Sequence, residues 1–245
     1  MTNCLTQIKL WSRGSSVSLV TAATDGFFTH WDLTDTLAPF YEIMSSGLKL
    51  KKAFTGPLAA PKEIVCESRY RVQANSIKGM ELVALSQWAA IVLTVGDDSS
   101  IAVSLLRIHP ASIGVLDGDA EAVVSTVSIP DAHAASATAI KVLDHEELSS
   151  SASASLSRLV FVTSGNDHRL KFWSVEVDLA KQATDALAID FLLDRYSAVA
   201  DIAAVTYLPE SPCLQNLSSD SEHDIQGKVV VGGAGMEMLH FNQHS

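Results

Sequence analysis

Two stretches of this chain align without a gap over a spacing that a simple hairpin does not require. "SLVTAATDGFFTHWDL" (Ser18 to Leu33) and "RLVFVTSGNDHRLKFWSVEVD" (Arg158 to Asp178) each run apolar strand, turn, apolar strand. In both, a threonine stands four residues before a turn aspartate, and a tryptophan stands six residues after it. These are Thr21, Asp25 and Trp31 in the first copy and Thr163, Asp167 and Trp173 in the second. "AAIVLTVGDDSSIAVSLLRI" (Ala89 to Ile108) keeps Thr94 and Asp98 but carries Ser104 at the tryptophan position. "KVVVGGAGMEMLHF" (Lys228 to Phe241) keeps only the strand-turn-strand outline, around Gly235.

The turn residues Asp25, Asp98, Asp167 and Gly235 stand 73, 69 and 68 residues apart, so one period runs through the chain. Ahead of two turns lies a shared approach, "VQANSIKGMELV" and "AHAASATAIKVL", with Gln73 and His133 in matching places. A strand pair with one apolar face is not stable alone, so successive copies must pack face to face. The aspartate can accept hydrogen bonds from turn amides, and a neighbouring Gly can take positive φ. A His, a Thr hydroxyl, the Asp and the Trp ring nitrogen can then form one buried polar chain in which every donor has an acceptor. This is the pattern of a four-stranded WD-repeat blade. Only the copy with His133, Thr163, Asp167 and Trp173 holds all four members. A sandwich of hairpins leaves the fixed Thr–Asp–Trp spacing without a reason.

The fold class is therefore all-β, with about four WD-repeat β-propeller blades. Residues 1–245 read as a single propeller region with blade turns near Asp25, Asp98, Asp167 and Gly235. The period exceeds a plain WD repeat of about 40–45 residues, so extra segments are expected. The Ser-rich 148–157 and the acidic, Ser-rich 209–224 are expected to be flexible loops, with Ser219 and Ser221 the serines to test for phosphorylation. An outer strand, rather than a helix, is expected around Ala188 to Leu193. Trp11 and Val17 lie just inside Met1, which suggests a partial propeller belonging to a larger protein.

Composition narrows the function classes. Net charge is -11, which disfavours unselective nucleic-acid binding by the whole surface. Lys49, Lys51 and Lys52 in "GLKLKK", with Lys62, Arg69 and Arg71 nearby, form the one local basic patch singled out as a possible RNA contact. Cys4, Cys66 and Cys213 have neither disulfide-framework nor metal-knuckle spacing, and fit a reducing, cytoplasmic setting. No stretch has the length of a membrane span. His109, His133, His145 and His168 lack zinc-ligand spacing. "VVVGGAGMEM" has the glycines of a phosphate loop but no following helix. Asp97 and Asp98 are neighbours that point apart, and no serine sits in a nucleophile elbow. No catalytic, cofactor or metal site is assigned, and the chain is read as a non-enzyme.

Certain residues carry a family likeness. "VQANSIKGMEL" with "VLTVGDDSSIAVSLL", "AHAASATAIKVL" with "VFVTSGNDHRLKFWSVEV", and "YSAVADIAAVTYLPE" followed by "KVVVGGAGMEML" together resemble the C-terminal region of the WD repeat-containing protein six family, in a fungal-type form. The likeness runs from about Ser18 to Phe241 and departs from the family at Gln73, where a His is usual. It implies a non-catalytic scaffold that partners a tRNA ribose 2′-O-methyltransferase acting at the anticodon wobble nucleotide. That scaffold would engage tRNA indirectly or through the local basic patch. The alternative it leaves is a general WD-repeat interaction scaffold, in endosomal recycling, vesicle traffic or another complex.

Overall fold

The computed structural model describes residues 3–13, 16–38, 68–108, 122–151, 154–182, 185–209 and 225–243. These form strands in four antiparallel sheets. Blade 1 is β1 (Leu5–Arg13), β2 (Ser16–Ala23), β3 (Phe27–Asp32) and β4 (Ser68–Arg71). Blade 2 is β5 (Ile77–Ala84), β6 (Ala89–Gly96), β7 (Ile101–Ile108) and β8 (Ala122–Ile129). Blade 3 is β9 (Ala137–Ser151), β10 (Ala154–Gly165), β11 (Arg169–Asp178) and β12 (Leu187–Tyr196). Blade 4 contributes β13 (Ala204–Pro209), β14 (Ile225–Gly232) and β15 (Met236–Gln243). Within each sheet the strands lie in chain order, each paired to the next. The first strands β1, β5, β9 and β13 neighbour one another in that order, which sets the blades side by side as an arc about a common axis.

The apolar pattern explains the stacking. β6 is buried along its whole length, so it reads as a continuous Val/Ile/Leu run rather than an alternation. Its even-numbered residues Ala90 and Val92 pack with Trp11, Val20 and Phe28 of blade 1. Its odd-numbered residues Ile91, Leu93 and Val95 pack with Leu159, Phe161 and Trp173 of blade 3. A third core joins Val160, Val162 and Phe172 of blade 3 to Val205, Val229 and Phe241 of blade 4, with the Phe172 and Phe241 rings stacked at 4.6 Å. Each such side chain contributes roughly 1.5–3 kcal/mol when fully buried. No blade keeps that burial without its neighbours.

The extra length of the period goes to different places. In blades 1 and 2 it lies between the third and fourth strands. In blade 4 it lies between β13 and β14. In blade 3 it is strand. The expected loop at 148–157 is corrected here: β9 runs to Ser151 and β10 starts at Ala154, with Leu156↔Ser149 and Ser155↔Ser150 in register. The ladder there is made by backbone groups, which do not need the apolar alternation that marks a strand in sequence. β12 occupies the region read as an outer strand. Residues 210–224 of the other expected loop, with Ser219 and Ser221, lie outside the described residues, as do Lys49, Lys51, Lys52 and Lys62. No helix among the described residues is long and apolar enough to cross a membrane.

Candidate functional site

The repeated turns sit between the second and third strand of each blade. Three of them close with the same bond, from the fourth residue's N–H to the first residue's carbonyl: Gly26 to Ala23 (3.3 Å), Ser99 to Gly96 (3.2 Å) and His168 to Gly165 (3.2 Å). The fourth residue is left-handed in each, with φ of 81° at Gly26, 64° at Ser99 and 58° at His168. The aspartate before it accepts at Oδ1 from the N–H two residues on: Phe27 to Asp25 (3.1 Å), Ser100 to Asp98 (3.2 Å) and Arg169 to Asp167 (3.1 Å). Asx geometry thus fixes the turn, and the second carboxylate oxygen is left to reach elsewhere.

That second oxygen reaches the loop entering the blade. Asp167 Oδ2 accepts from the N–H of Ala134 at 3.0 Å, and Asp98 Oδ2 accepts from the N–H of Ala74. In blade 1, Asp25 is held by the Asn3 amide and the Arg69 guanidinium, which also lies over the Phe27 ring at 4.1 Å. Arg71 points to the carbonyls of Gln73 (3.4 Å) and Ala74 (3.2 Å). Arg69 therefore holds the turn within blade 1, and Arg71 holds the segment that leads from β4 into blade 2.

Blade 3 assembles the full chain of groups. Trp173 Nε1–H donates to Thr163 Oγ1 (3.0 Å), Thr163 Oγ1 meets His133 Nε2 (2.9 Å), and His133 Nδ1 meets Asp167 Oδ1 (3.0 Å). With the Nδ1 proton on the carboxylate side, Thr163 donates to Nε2 while accepting from Trp173, and every group is satisfied once. Burial pushes the His133 imidazole below its ordinary value; the Asp167 hydrogen bond and charge oppose this, and Lys171 adds to it. For Asp167, burial works upward but is outweighed by the Ala134 amide, His133 and the Arg169 amide, so its carboxyl titrates below its ordinary value. A neutral histidine locked to an ionised carboxylate, with the threonine already engaged on both sides, has no open position for a substrate.

The other blades keep parts of this. In blade 2, Gln73 Nε2 donates to Thr94 Oγ1 (3.2 Å) and to the Thr94 carbonyl (3.3 Å), while Ser100 bonds Asp98 Oδ1 (2.8 Å) and Gln73 Oε1. Ser104, at the tryptophan position, meets Thr126 at 2.8 Å. Blade 1 keeps Trp31 Nε1–H on Thr21 Oγ1 at 3.0 Å. Blade 4 replaces the turn aspartate with Glu237, two residues beyond Gly235, which takes the Ser197 hydroxyl (2.7 Å) and the Ala198 N–H (3.0 Å). Sequence reasoning missed Ser197 and Glu237. A signal was present: Gln73-Ala74, His133-Ala134 and Ser197-Ala198 stand in equivalent places, each with its alanine N–H on a carboxylate.

Polar links also run between blades, from Ser136 to Asp97 and through Glu81. Asp97 meets Lys78 (3.0 Å) and accepts from Ser136 (2.7 Å), so the Asp97-Asp98 pair divides between two structural tasks. Glu81 on β5 bridges Lys9 on β1 and Lys141 on β9, both at 3.2 Å. Among the described residues no group of three or more His, Cys, Asp or Glu is placed to hold a metal ion. A shallow cleft between blades 3 and 4 is lined by Phe172, Leu193, Arg195, Val229 and Leu239.

No family model matches the chain. Its sequence is 26% identical over 236 residues to the tRNA (34-2'-O)-methyltransferase regulator WDR6 of Bos taurus, covering 94% of this chain and 17% of that protein. Among solved structures it resembles Raptor of Chaetomium thermophilum, with a TM-score of 0.43 and 10% identity, over 99% of this chain and 16% of that one. The blade assignment stands on the strand order and turn geometry of the chain itself. The chain is thus an all-β arc of WD-type blades, similar in sequence to a regulator of tRNA methylation and spanning about one-sixth of that regulator's length.

Proposed function

We propose that this chain is a non-catalytic WD-repeat scaffold that supports 2′-O-methylation of the wobble ribose of tRNA, by binding the methyltransferase and helping to position its substrate. It would correspond to the C-terminal region of a fungal-type member of the WD repeat-containing protein six family and act in the cytoplasm. The observation that carries the reading is the similarity to a methyltransferase regulator over nearly the whole chain. The engaged state of the blade networks fits it, because their polar groups serve the turns rather than a reacting centre. A rigid blade array presents loops on its two faces, which suits docking rather than chemistry. The acidic surface suits a basic enzyme face, and direct RNA contact falls to Lys49, Lys51 and Lys52.

The test is affinity capture through a C-terminal tag at the native locus. A ribose methyltransferase in the captured material is the expected result. Its absence, with trafficking components in its place, would replace this reading with the general-scaffold alternative. Replacing Lys49, Lys51 and Lys52 by Glu should weaken tRNA binding by the captured complex and flatten its salt dependence; unchanged binding at every salt concentration removes the patch from the account.

A further inference from the structure

The outer strands of blades 1, 2 and 3 differ in how they guard their free edges. β4 is four residues long and carries Arg69 and Arg71. β12 carries Asp190, Asp194 and Arg195, and its ladder with β11 is interrupted between Phe172 and Trp173. Short length, charge and irregularity are the devices that keep a strand edge from pairing. β8, AVVSTVSI, has none of them: eight residues without charge or proline, in unbroken register with β7. Three contacts fix the direction of its backbone groups. The Ala122 carbonyl points away from β7, because it accepts from the Tyr70 hydroxyl at 2.7 Å. The N–H of Ile108, the partner of Ala122, turns instead to the Trp88 carbonyl at 2.9 Å. Ser104 and Thr126, also partners, bring their hydroxyls to 2.8 Å, the close approach of a pair that exchanges no backbone bonds. The even-numbered residues of β8 therefore aim their N–H and C=O groups outward. No described residue takes those of Val124, Thr126 and Ser128, and Thr126 and Ser128 are exposed. Ser104 and Thr126 also stand where blade 3 pairs Trp173 with Phe191, so an added strand would meet two hydroxyls at this level rather than two rings.

We infer that β8 is a docking edge, on which a partner protein adds an extended segment as a further strand of the four-stranded blade 2. Val124, Thr126 and Ser128 supply the backbone donors and acceptors, and alternate side chains of the segment supply the specificity. The charge around the edge selects the occupant. Residues 108–140 carry Asp117, Asp119, Glu121 and Asp131 and neither Lys nor Arg. A second copy pairing β8 on β8 would set these acids against each other, which is unfavourable. A segment uncharged where it pairs, with Lys or Arg on its flanks, sets opposite charges there instead. A nucleic acid fits neither the backbone pattern nor this charge. The inference rests on the scaffold reading of the proposed function and names the contact through which the partner is held.

The test is hydrogen exchange, read by mass spectrometry at residue resolution, on the chain purified alone and on the chain captured with its partner through the C-terminal tag. In the chain alone the amides of Val124, Thr126 and Ser128 should exchange at close to unprotected rates, and in the captured complex they should slow at least about 100-fold. Thr126→Pro removes one outward N–H, a change that an edge strand tolerates, and should lower capture of the partner at least about tenfold. Thr126→Val keeps that N–H, loses only the hydroxyl contact with Ser104, and should capture as the wild type does. If Thr126→Pro misfolds by circular dichroism, Ser128→Lys sets a repelling charge on the same edge. A captured ribose methyltransferase with the β8 amides still unprotected would overturn this inference and leave the proposed function standing. Protection of β8 by a different partner with basic flanks would do the reverse, and capture of no partner would overturn both. Amides already slow in the chain alone, through a second copy or another segment of the chain, would overturn the inference, as would equal losses with Thr126→Val and Thr126→Pro.

Discussion

Thr163 is the hub through which blade 3 satisfies two buried groups, and Thr163→Val removes the hub while keeping its shape. The valine leaves Trp173 Nε1 and His133 Nε2 without their partner, at 3.0 and 2.9 Å respectively. Both groups are buried: Trp173 is 6% exposed and His133 2% exposed. An orphaned buried polar group costs about 1–3 kcal/mol, so the pair should cost about 2–4 kcal/mol after local adjustment. The same substitution in the other blades should cost less, for reasons visible in their geometry. Thr94→Val leaves Gln73 Nε2 its bond to the Thr94 carbonyl, so about 1 kcal/mol is expected. Thr21→Val exposes a half-buried Trp31 to water, which replaces the lost hydroxyl, and less than about 1 kcal/mol is expected. Urea unfolding followed by circular dichroism, with midpoints compared at constant slope, reads the ranking Thr163, Thr94, Thr21. A Thr163→Val protein within about 0.5 kcal/mol of wild type, or a larger loss at Thr21, would refute the view that the polar chain holds the blade.

Three further expectations follow from the same geometry. His133 titrates below the ordinary imidazole value of 6.5, so the unfolded chain binds the extra proton and stability falls as pH drops below 6.5 toward the folded value. Asp167, held below the ordinary 3.8, adds stability that is present above that value and lost as pH falls through its folded value. His133→Gln, which copies the Gln73 solution of blade 2, should flatten the urea midpoint between pH 7 and 5; an unchanged slope there would assign the acid sensitivity to another group. Ser99 sits at φ 64°, and Ser99→Gly should stabilise by about 0.5–1 kcal/mol. Gly26→Ala should destabilise by about 2 kcal/mol or more, because its Cβ would also lie 2.7 Å from the Asn75 carbonyl; thermal midpoints moving in the opposite senses would contradict the turn geometry. Glu81→Gln breaks the Lys9–Glu81–Lys141 bridge and should cost no more than about 1 kcal/mol at low salt, with the difference vanishing near 1 M salt; a loss unaffected by salt would point to packing instead.

The sequence made the blades legible where chemistry repeats at fixed spacing. Thr21, Asp25 and Trp31 repeat as Thr163, Asp167 and Trp173 because each set closes one turn and one tryptophan–threonine hydrogen bond between the second and third strands of its blade. The apolar run of β6 was legible as a strand, and the structure shows that strand covered on both faces. Two features escaped for physical reasons. At 149–156 the pairing is carried by the backbone, so the serines give no period and read as loop. In blade 4 the carboxylate moved from the turn onto β15 and became Glu237, while its partner became Ser197, so residue type and spacing changed together. The alanine following each loop residue was the constant, since what the carboxylate needs there is a backbone N–H rather than a side chain. Left-handed Ser99 and His168 were likewise hidden, because a glycine at that position would have announced the turn as Gly26 does.

The most direct measurement of the functional account is 2′-O-methylation at the tRNA wobble ribose, read by mass spectrometry of tRNA from cells with and without this protein. The account predicts that the modification is lost on deletion and returns when the intact gene is restored, with the methyltransferase present at normal levels throughout. Undiminished wobble-ribose methylation in the deleted cells would contradict it.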